Sequence, residues 1–424
     1  MKIQIEGGTV IDPAAGSRRL ADVFIADGRI ASIGAAPAGF VAERRIDARG
    51  LIVAPGLVDV CARLREPGYE YKATLQSEMA AALAGGVTSV VCLPDTDPPL
   101  DEPGLVEMLK FRAGKLVRAH VYPLGALTVG LRGQVITEMV ELTEAGCVGF
   151  SQADVPIDDY QILLRALEYA TTHGYTVWLR PQDASLARDG VAAAGAVASR
   201  LGLSGIPVEA ETIALHAYFE LMRASGARVH ISHLSSAPGI ELVRRAKAAG
   251  LAVSCDVTIN HLHLTDVDIG YFDSQCRFDP PLRGQRDRDA IRAAVMDGTI
   301  DVICSDHTPV DDDEKLLPFG EASPGATGLE LLLSLTVKWA KEMRIPLEHA
   351  LASVTSRAAA VIGVDGGRVV PGAVADLCLF DPDAYWTVAA AKLVSQGHNT
   401  PFDGYELPGQ VQATLVAGRI AFER

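Results

Sequence analysis

The sequence predicts an α/β fold: a (β/α)8 barrel of the TIM type, with a small β-sandwich domain formed from both termini. Three observations predict it. Eight short apolar runs alternate with segments of helical period through the middle of the chain, both ends carry alternating strands joined by tight turns, and polar residues gather where the apolar runs stop.

The N-terminal strands read as Lys2 to Glu6, then Asp22 to Ala26 and Arg29 to Ile33 joined by Asp27-Gly28, a pair whose positive φ suits a hairpin turn. At the other end, Ala375 to Phe380, Val411 to Val416 and Arg419 to Phe422 have the same character, the last two split by Ala417-Gly418. Residues 1–54 and 364–424 therefore form the expected composite sandwich, and residues 55–363 the barrel.

The barrel strands are expected at Leu57 to Val60, Val87 to Leu93, Ala119 to Leu124, Cys147 to Ser151, Thr176 to Leu179, Arg228 to Ser232, Ala252 to Cys255 and Val302 to Ser305. Between them the helical period shows, for example, in Tyr160, Leu163, Leu164 and Leu167, with Asp158 or Asp159 placed to cap. Two longer connections, Pro181 to Thr212 and Thr308 to Thr327, read as gating or interface loops.

With 424 residues, 49% of them hydrophobic, the chain can fill a large core and a smaller one. A net charge of −15 disfavours nucleic acid and anionic membranes as partners. The start lacks the blocks of a signal peptide and no apolar run reaches membrane-spanning length, so a cytoplasmic protein is expected. Seven cysteines, at 61, 92, 147, 255, 276, 304 and 378, include no CxxC pair and read as reduced, buried thiols.

In such a barrel, chemistry sits at the strand C-termini. There the sequence places Cys61, Arg63 and Arg65; Asp95; Gln152-Ala153; Arg180; His233; Asn260 and His261; Asp279; and Asp306-His307. An ordered set of motifs accompanies them: Pro-Gly-Leu-Val-Asp-Val at 55–60, Leu-Arg-Glu-Pro-Gly at 64–68, Ala-Gly-Gly-Val-Thr-Ser at 84–89 and His-Ile-Ser-His-Leu-Ser at 230–235. Asp-Pro-Pro-Leu-Arg at 279–283, Ser-Asp-His-Thr-Pro at 305–309 and Asn-Thr-Pro-Phe at 399–402 complete it. Through these the chain resembles the cyclic amidohydrolases, specifically dihydroorotase, over nearly its whole length.

The resemblance implies hydrolysis of the ring amide of dihydroorotate by one or two zinc ions that polarise the carbonyl and generate hydroxide. It also implies ligands that this chain lacks. Cys61-Ala62-Arg63 stands where the family has His-x-His, Gln152-Ala153 where it has two aspartates, and Arg180 where it has a ligand histidine. Only His233 and Asp306 match the family's metal and catalytic-base positions. Arginine keeps its proton in proteins, so neither Arg63 nor Arg180 can bind zinc. One of them is expected to replace the metal as partner of Asp306.

On the substrate side, Arg65 matches the carboxylate-binding arginine, whereas Asp95 and Asp279 replace asparagines and Val310 a histidine. The pocket thus reads as vestigial, with no metal expected (lost at Cys61, Arg63, Ala153 and Arg180; remnant His233 and Asp306) and Asp306 a vestigial base. Alternatives stand beside these readings. His233 can be a histidine held by local hydrogen bonds, Cys61 a buried filler, and Arg65 a partner of Glu66 or Asp95. His261-Leu262-His263 reads as loop packing, and Asp311 to Glu314 as a solvated charged loop.

Three functions follow. The first is a catalytically inactive dihydroorotase homologue, since the resemblance implies a non-catalytic subunit that associates with aspartate carbamoyltransferase. The second is an active cyclic amide hydrolase with an altered or single-zinc site, and the third an anion-binding sensor. A homodimer is the default expectation from the family.

Overall fold

The computed structural model describes residues 1–116 and 118–424. Its barrel strands are Leu57–Ala62, Val87–Cys92, His120–Pro123, Phe150–Ser151, Thr176–Leu179, Arg228–Ile231, Val253–Thr258 and Val302–Cys304. All are parallel to their neighbours. The first and second are buried at every position, as parallel strands covered on both faces must be. The third strand breaks at Leu124. Its first part pairs with the second strand, and its continuation Gly125–Ala126 pairs with the fourth.

Closure depends on strand one meeting strand eight. Arg63 N donates to His307 O at 2.8 Å, and the buried Asp59 carboxylate accepts from Ser305 N at 2.9 Å and from the Ser305 hydroxyl. Burial pushes the Asp59 carboxyl up to about 6 although Ser305 and Cys61 hydrogen bonds pull the other way. The helix Ser356–Ile362 plugs the opposite, N-terminal end, where Ala358, Ala359 and Ile362 pack with Val58, Trp178 and Val302 in one buried cluster.

Strands from both ends of the chain share an eight-stranded sheet. Ile3–Asp12 lies at its centre, paired with Ser17–Ala26, Arg44–Asp47 and Ile52–Pro55, and the last of these meets Leu377–Thr387. Ile3, Ile5, Val23, Ile25, Leu377 and Leu415 belong to its separate core.

Two local expectations are corrected. The helix Tyr160–His173 is capped by Asp159, but its buried face is Leu163, Ala166, Leu167 and Ala170. Tyr160, in the first turn, stays 42% exposed. Residues 181–212 are not an irregular loop. They hold helices Ala184–Ala187 and Ala196–Leu201 and the paired strands Ala192–Ala193 and Gly205–Ile206. The connection 308–327 carries the short helix Asp312–Lys315. Among the described residues, no helix is long and apolar enough to cross a membrane, and all seven cysteines are free and buried.

Candidate functional site: an arginine-aspartate cluster in the barrel mouth

Four of the residues that end barrel strands turn the chain with positive φ despite carrying side chains: Arg65 (62°), Ala153 (51°), His233 (57°) and Asp306 (50°). This left-handed backbone costs a non-glycine residue about 1 kcal/mol or more and persists where surrounding structure fixes it. It aims the following segments across the mouth.

Arg63 reaches the centre of that mouth, with only 7% of its side chain exposed. Its Nε donates to Asp95 Oδ2 at 2.7 Å, Nη1 to Thr308 Oγ1 at 2.9 Å, and Nη2 to Asp154. Nη1 also lies 3.6 Å from Asp306 Oδ1, an ion pair longer than a hydrogen bond. Arg180 enters from the far side. Its Nη1 donates to Asp279 Oδ2 at 2.9 Å and stands 3.3 Å from Asp154 Oδ1, while Nη2 donates to Asp279 and Gln182. Asp154 therefore bridges both guanidinium groups.

Arg63 thus stands beside Asp306 as expected, at ion-pair distance, but its closer partners are others. Asp306 is not the main partner of either arginine; Asp95, Asp154 and Asp279 are. Asp95 and Asp279 stand where the resemblance implies asparagines, and they pair with the two arginines that stand where it implies histidines. The residues that depart from the pattern the resemblance implies thus meet one another as ion pairs. Asp154 was not singled out in the sequence. A carboxylate two residues beyond Gln152, after a strand end, was the available signal.

Arg65 is not paired with Glu66 or Asp95. Its Nε donates to Pro309 O at 2.9 Å, and Glu66 instead binds Arg112 at 2.6 Å and caps the next helix through Leu75 N. Gln152 accepts from Thr128 Oγ1 at 2.9 Å. His261 and His263 lie on the short helix Ile259–His263 rather than in a loop, facing Thr258 and Pro281, and Leu335, respectively. The run Asp311 to Glu314 is only partly solvated, because Glu314 pairs with Lys72 at 2.7 Å. Asn399, from the Asn-Thr-Pro-Phe motif, clamps the mouth loop through Thr308 O, Gly325 O and Val310 N. What remains open is a pocket of about 180 Å³, lined by Arg63, Arg65, Asp95, Asp154, Asp279 and Asp306 among others.

Deeper in the barrel, Cys61 Sγ lies 4.0 Å and His233 Nε2 3.9 Å from Asp306 Oδ1. Neither ring nitrogen of His233 has a hydrogen-bond partner among the described residues. Burial opposes charge on His233, but Asp306, Cys61 and Asp256 outweigh it and hold the imidazole well above its ordinary value. Burial raises Asp306 against the pull of His233 and Arg63. Both the imidazole and the carboxylate of this buried pair are thus held above their ordinary values.

These residues do not fit a two-zinc centre. Positions where the resemblance implies ligands carry guanidinium groups, and the remaining donor atoms of Cys61, His233 and Asp306, all within 4.8 Å of one another, sit beside Arg63.

Burial works against charge on Asp154, but Arg63 and Arg180 hold its carboxyl far below the usual range. A carboxyl lowered on folding stabilises fully above its unfolded value of about 3.9 and loses that contribution as pH falls. The melting temperature should drop as pH is lowered from about 5 to about 3, and less steeply in Asp154→Asn. Superimposable acid profiles for parent and variant would contradict this role.

A parallel barrel carrying a sheet built from both chain ends, with its mouth at the strand C-termini, is an amidohydrolase-type fold. The L-hydantoinase from Arthrobacter aurescens superimposes with a TM-score of 0.89 over 99% of this chain and 96% of that one, at 23% identity. A D-hydantoinase gives 0.86 over 100% and 96%, at 24% identity. Sequence narrows the class further. Residues 50–238 match the dihydro-orotase-like family model. A dihydroorotase-like protein of Pseudomonas putida is 46% identical over 99% of both chains, and a dihydroorotase of Geobacter sp. (strain M21) 40% identical over 100% of both. The chain belongs to the dihydroorotase-like family.

Proposed function

We propose that this chain is a catalytically inactive dihydroorotase homologue of pyrimidine biosynthesis, acting as a structural or regulatory partner of aspartate carbamoyltransferase. The pairing of Arg63 with Asp95 and Asp154, and of Arg180 with Asp279 and Asp154, carries the reading. A mouth whose Arg63 and Arg180 are already engaged by carboxylates offers neither an open metal position nor a free guanidinium fork from either of them. A binding surface needs the scaffold and not the site, and family resemblance supplies the partner. The protein is taken to be cytoplasmic and homodimeric on the same grounds.

Purified protein should contain well under one zinc per chain and should not turn over dihydroorotate. Co-expressed with aspartate carbamoyltransferase, it should elute as one defined mixed complex in size-exclusion chromatography. Two independent peaks would count against the partnership, and zinc-dependent turnover against inactivity.

A second reading rests on the unpartnered ring of His233 beside Cys61 and Asp306. It makes the chain a single-zinc hydrolase converting dihydroorotate to N-carbamoyl-aspartate. One zinc per chain, with activity lost in His233→Ala, would favour it. The anion sensor has less support, because Arg65 is the one mouth arginine lacking a carboxylate partner among the described residues.

A further inference from the structure

The other end of the barrel holds a cavity of about 660 Å³, between the N-terminal ends of strands four to eight and the plugging helix Ser356–Ile362. Val148, Leu251, Val361 and Ile362 give it an apolar wall. Two guanidinium groups, of Arg228 and Arg357, also line it. Arg357 Nη1 is buried with no acceptor, and neither arginine has a side-chain hydrogen bond or ion pair among the described residues. The one carboxylate on the wall, Asp301, is already engaged by Lys247 Nζ at 2.6 Å and Cys255 N at 2.8 Å.

In a chain with 53 acidic residues against 38 basic ones, two arginines facing one cavity without a carboxylate partner call for an acceptor from outside. Arg228 is exposed and free to be hydrated, but the buried Arg357 Nη1 has no acceptor, and a buried donor of a charged group is costly unless a ligand completes it. Two guanidinium forks present more donors than a monocarboxylate has charge to meet. A phosphoryl dianion, with three acceptor oxygens, matches them better.

We propose that this cavity binds a small organic phosphate, its phosphoryl group between Arg228 and Arg357 and its apolar body against Val148, Leu251, Val361 and Ile362. The site lies at the opposite ends of the strands from the mouth cluster. Occupancy would therefore stabilise the barrel's base by linkage and involve no reaction.

Calorimetry on the full chain with phenyl phosphate, inorganic phosphate and benzoate tests this. Phenyl phosphate should bind saturably and at least about tenfold more tightly than either fragment. Arg228→Ala, at a solvent-exposed position that the fold tolerates, should weaken it at least about tenfold. Arg65→Ala, in the mouth, should leave it unchanged. Absence of saturable binding, equal affinity for benzoate and phenyl phosphate, or loss of binding in Arg65→Ala but not Arg228→Ala would each overturn the proposal.

Discussion

Replacing Arg63 by alanine is expected to cost about 3–5 kcal/mol of folding stability, the range for breaking a buried ion cluster by removing one partner. The loss comes from what is left behind. Asp95, Asp154 and Asp306 would face one another without the cation that now touches all three, at 2.7 Å and 3.6 Å for the first and last. Such carboxylates regain protons as pH falls, so the deficit should shrink toward acid. Arg63→Lys restores the charge but not a fork that meets Asp95, Asp154 and Thr308 at once, and should recover only part of it. Urea denaturation at two pH values reads both effects. A deficit under about 1 kcal/mol would mean that the cluster is a solvated surface network.

The second large effect is expected at Glu78, a fully buried carboxylate in the helix Leu75–Ala84. It accepts from His307 Nε2 at 2.6 Å, Ser395 Oγ at 2.6 Å, Gln396 N at 3.0 Å and Ser77 Oγ at 2.8 Å. Gly328 N donates to His307 Nδ1 at 3.1 Å, so the ring's proton is directed to Nε2 and toward Glu78. Burial opposes charge on this carboxyl, but the hydrogen bonds from His307, Ser395 and Ser77 outweigh it and hold it below its ordinary value. Glu78→Ala strands several buried donors at once and should cost about 3 kcal/mol or more. It also unties the exit of strand eight from residues 395–397. Thermal melts should show the loss, and limited proteolysis should open sites near Gln396. Unchanged proteolysis would show that this segment is held by other contacts.

The barrel could be read from the sequence because a buried parallel strand needs an unbroken apolar run, and eight such runs recur between helical segments. The strand ends follow from the same pattern, which is why Arg63, Arg180, His233 and Asp306 fall in one mouth by sequence alone. What they bind there was harder to read. Arg63 to Asp154 is a contact across 91 positions and Arg180 to Asp279 one across 99, and no local period reports a partner at that range. The family pattern marks Gln152-Ala153 and not Asp154, whereas the left-handed turn at Ala153 delivers the next side chain to the mouth. The structured segment 181–212 was obscured by strands of only two residues each, too short for alternation to register.

The left-handed strand ends at Arg65, Ala153, His233 and Asp306 carry one more consequence. Their geometry belongs to the main chain and is separate from the chemistry of the side chains it presents. A barrel whose rim keeps its bends while its guanidinium groups fill the mouth is a socket with its contacts exchanged. Re-aiming it toward a new ligand is then a problem of choosing side chains at fixed positions, with no loop to rebuild.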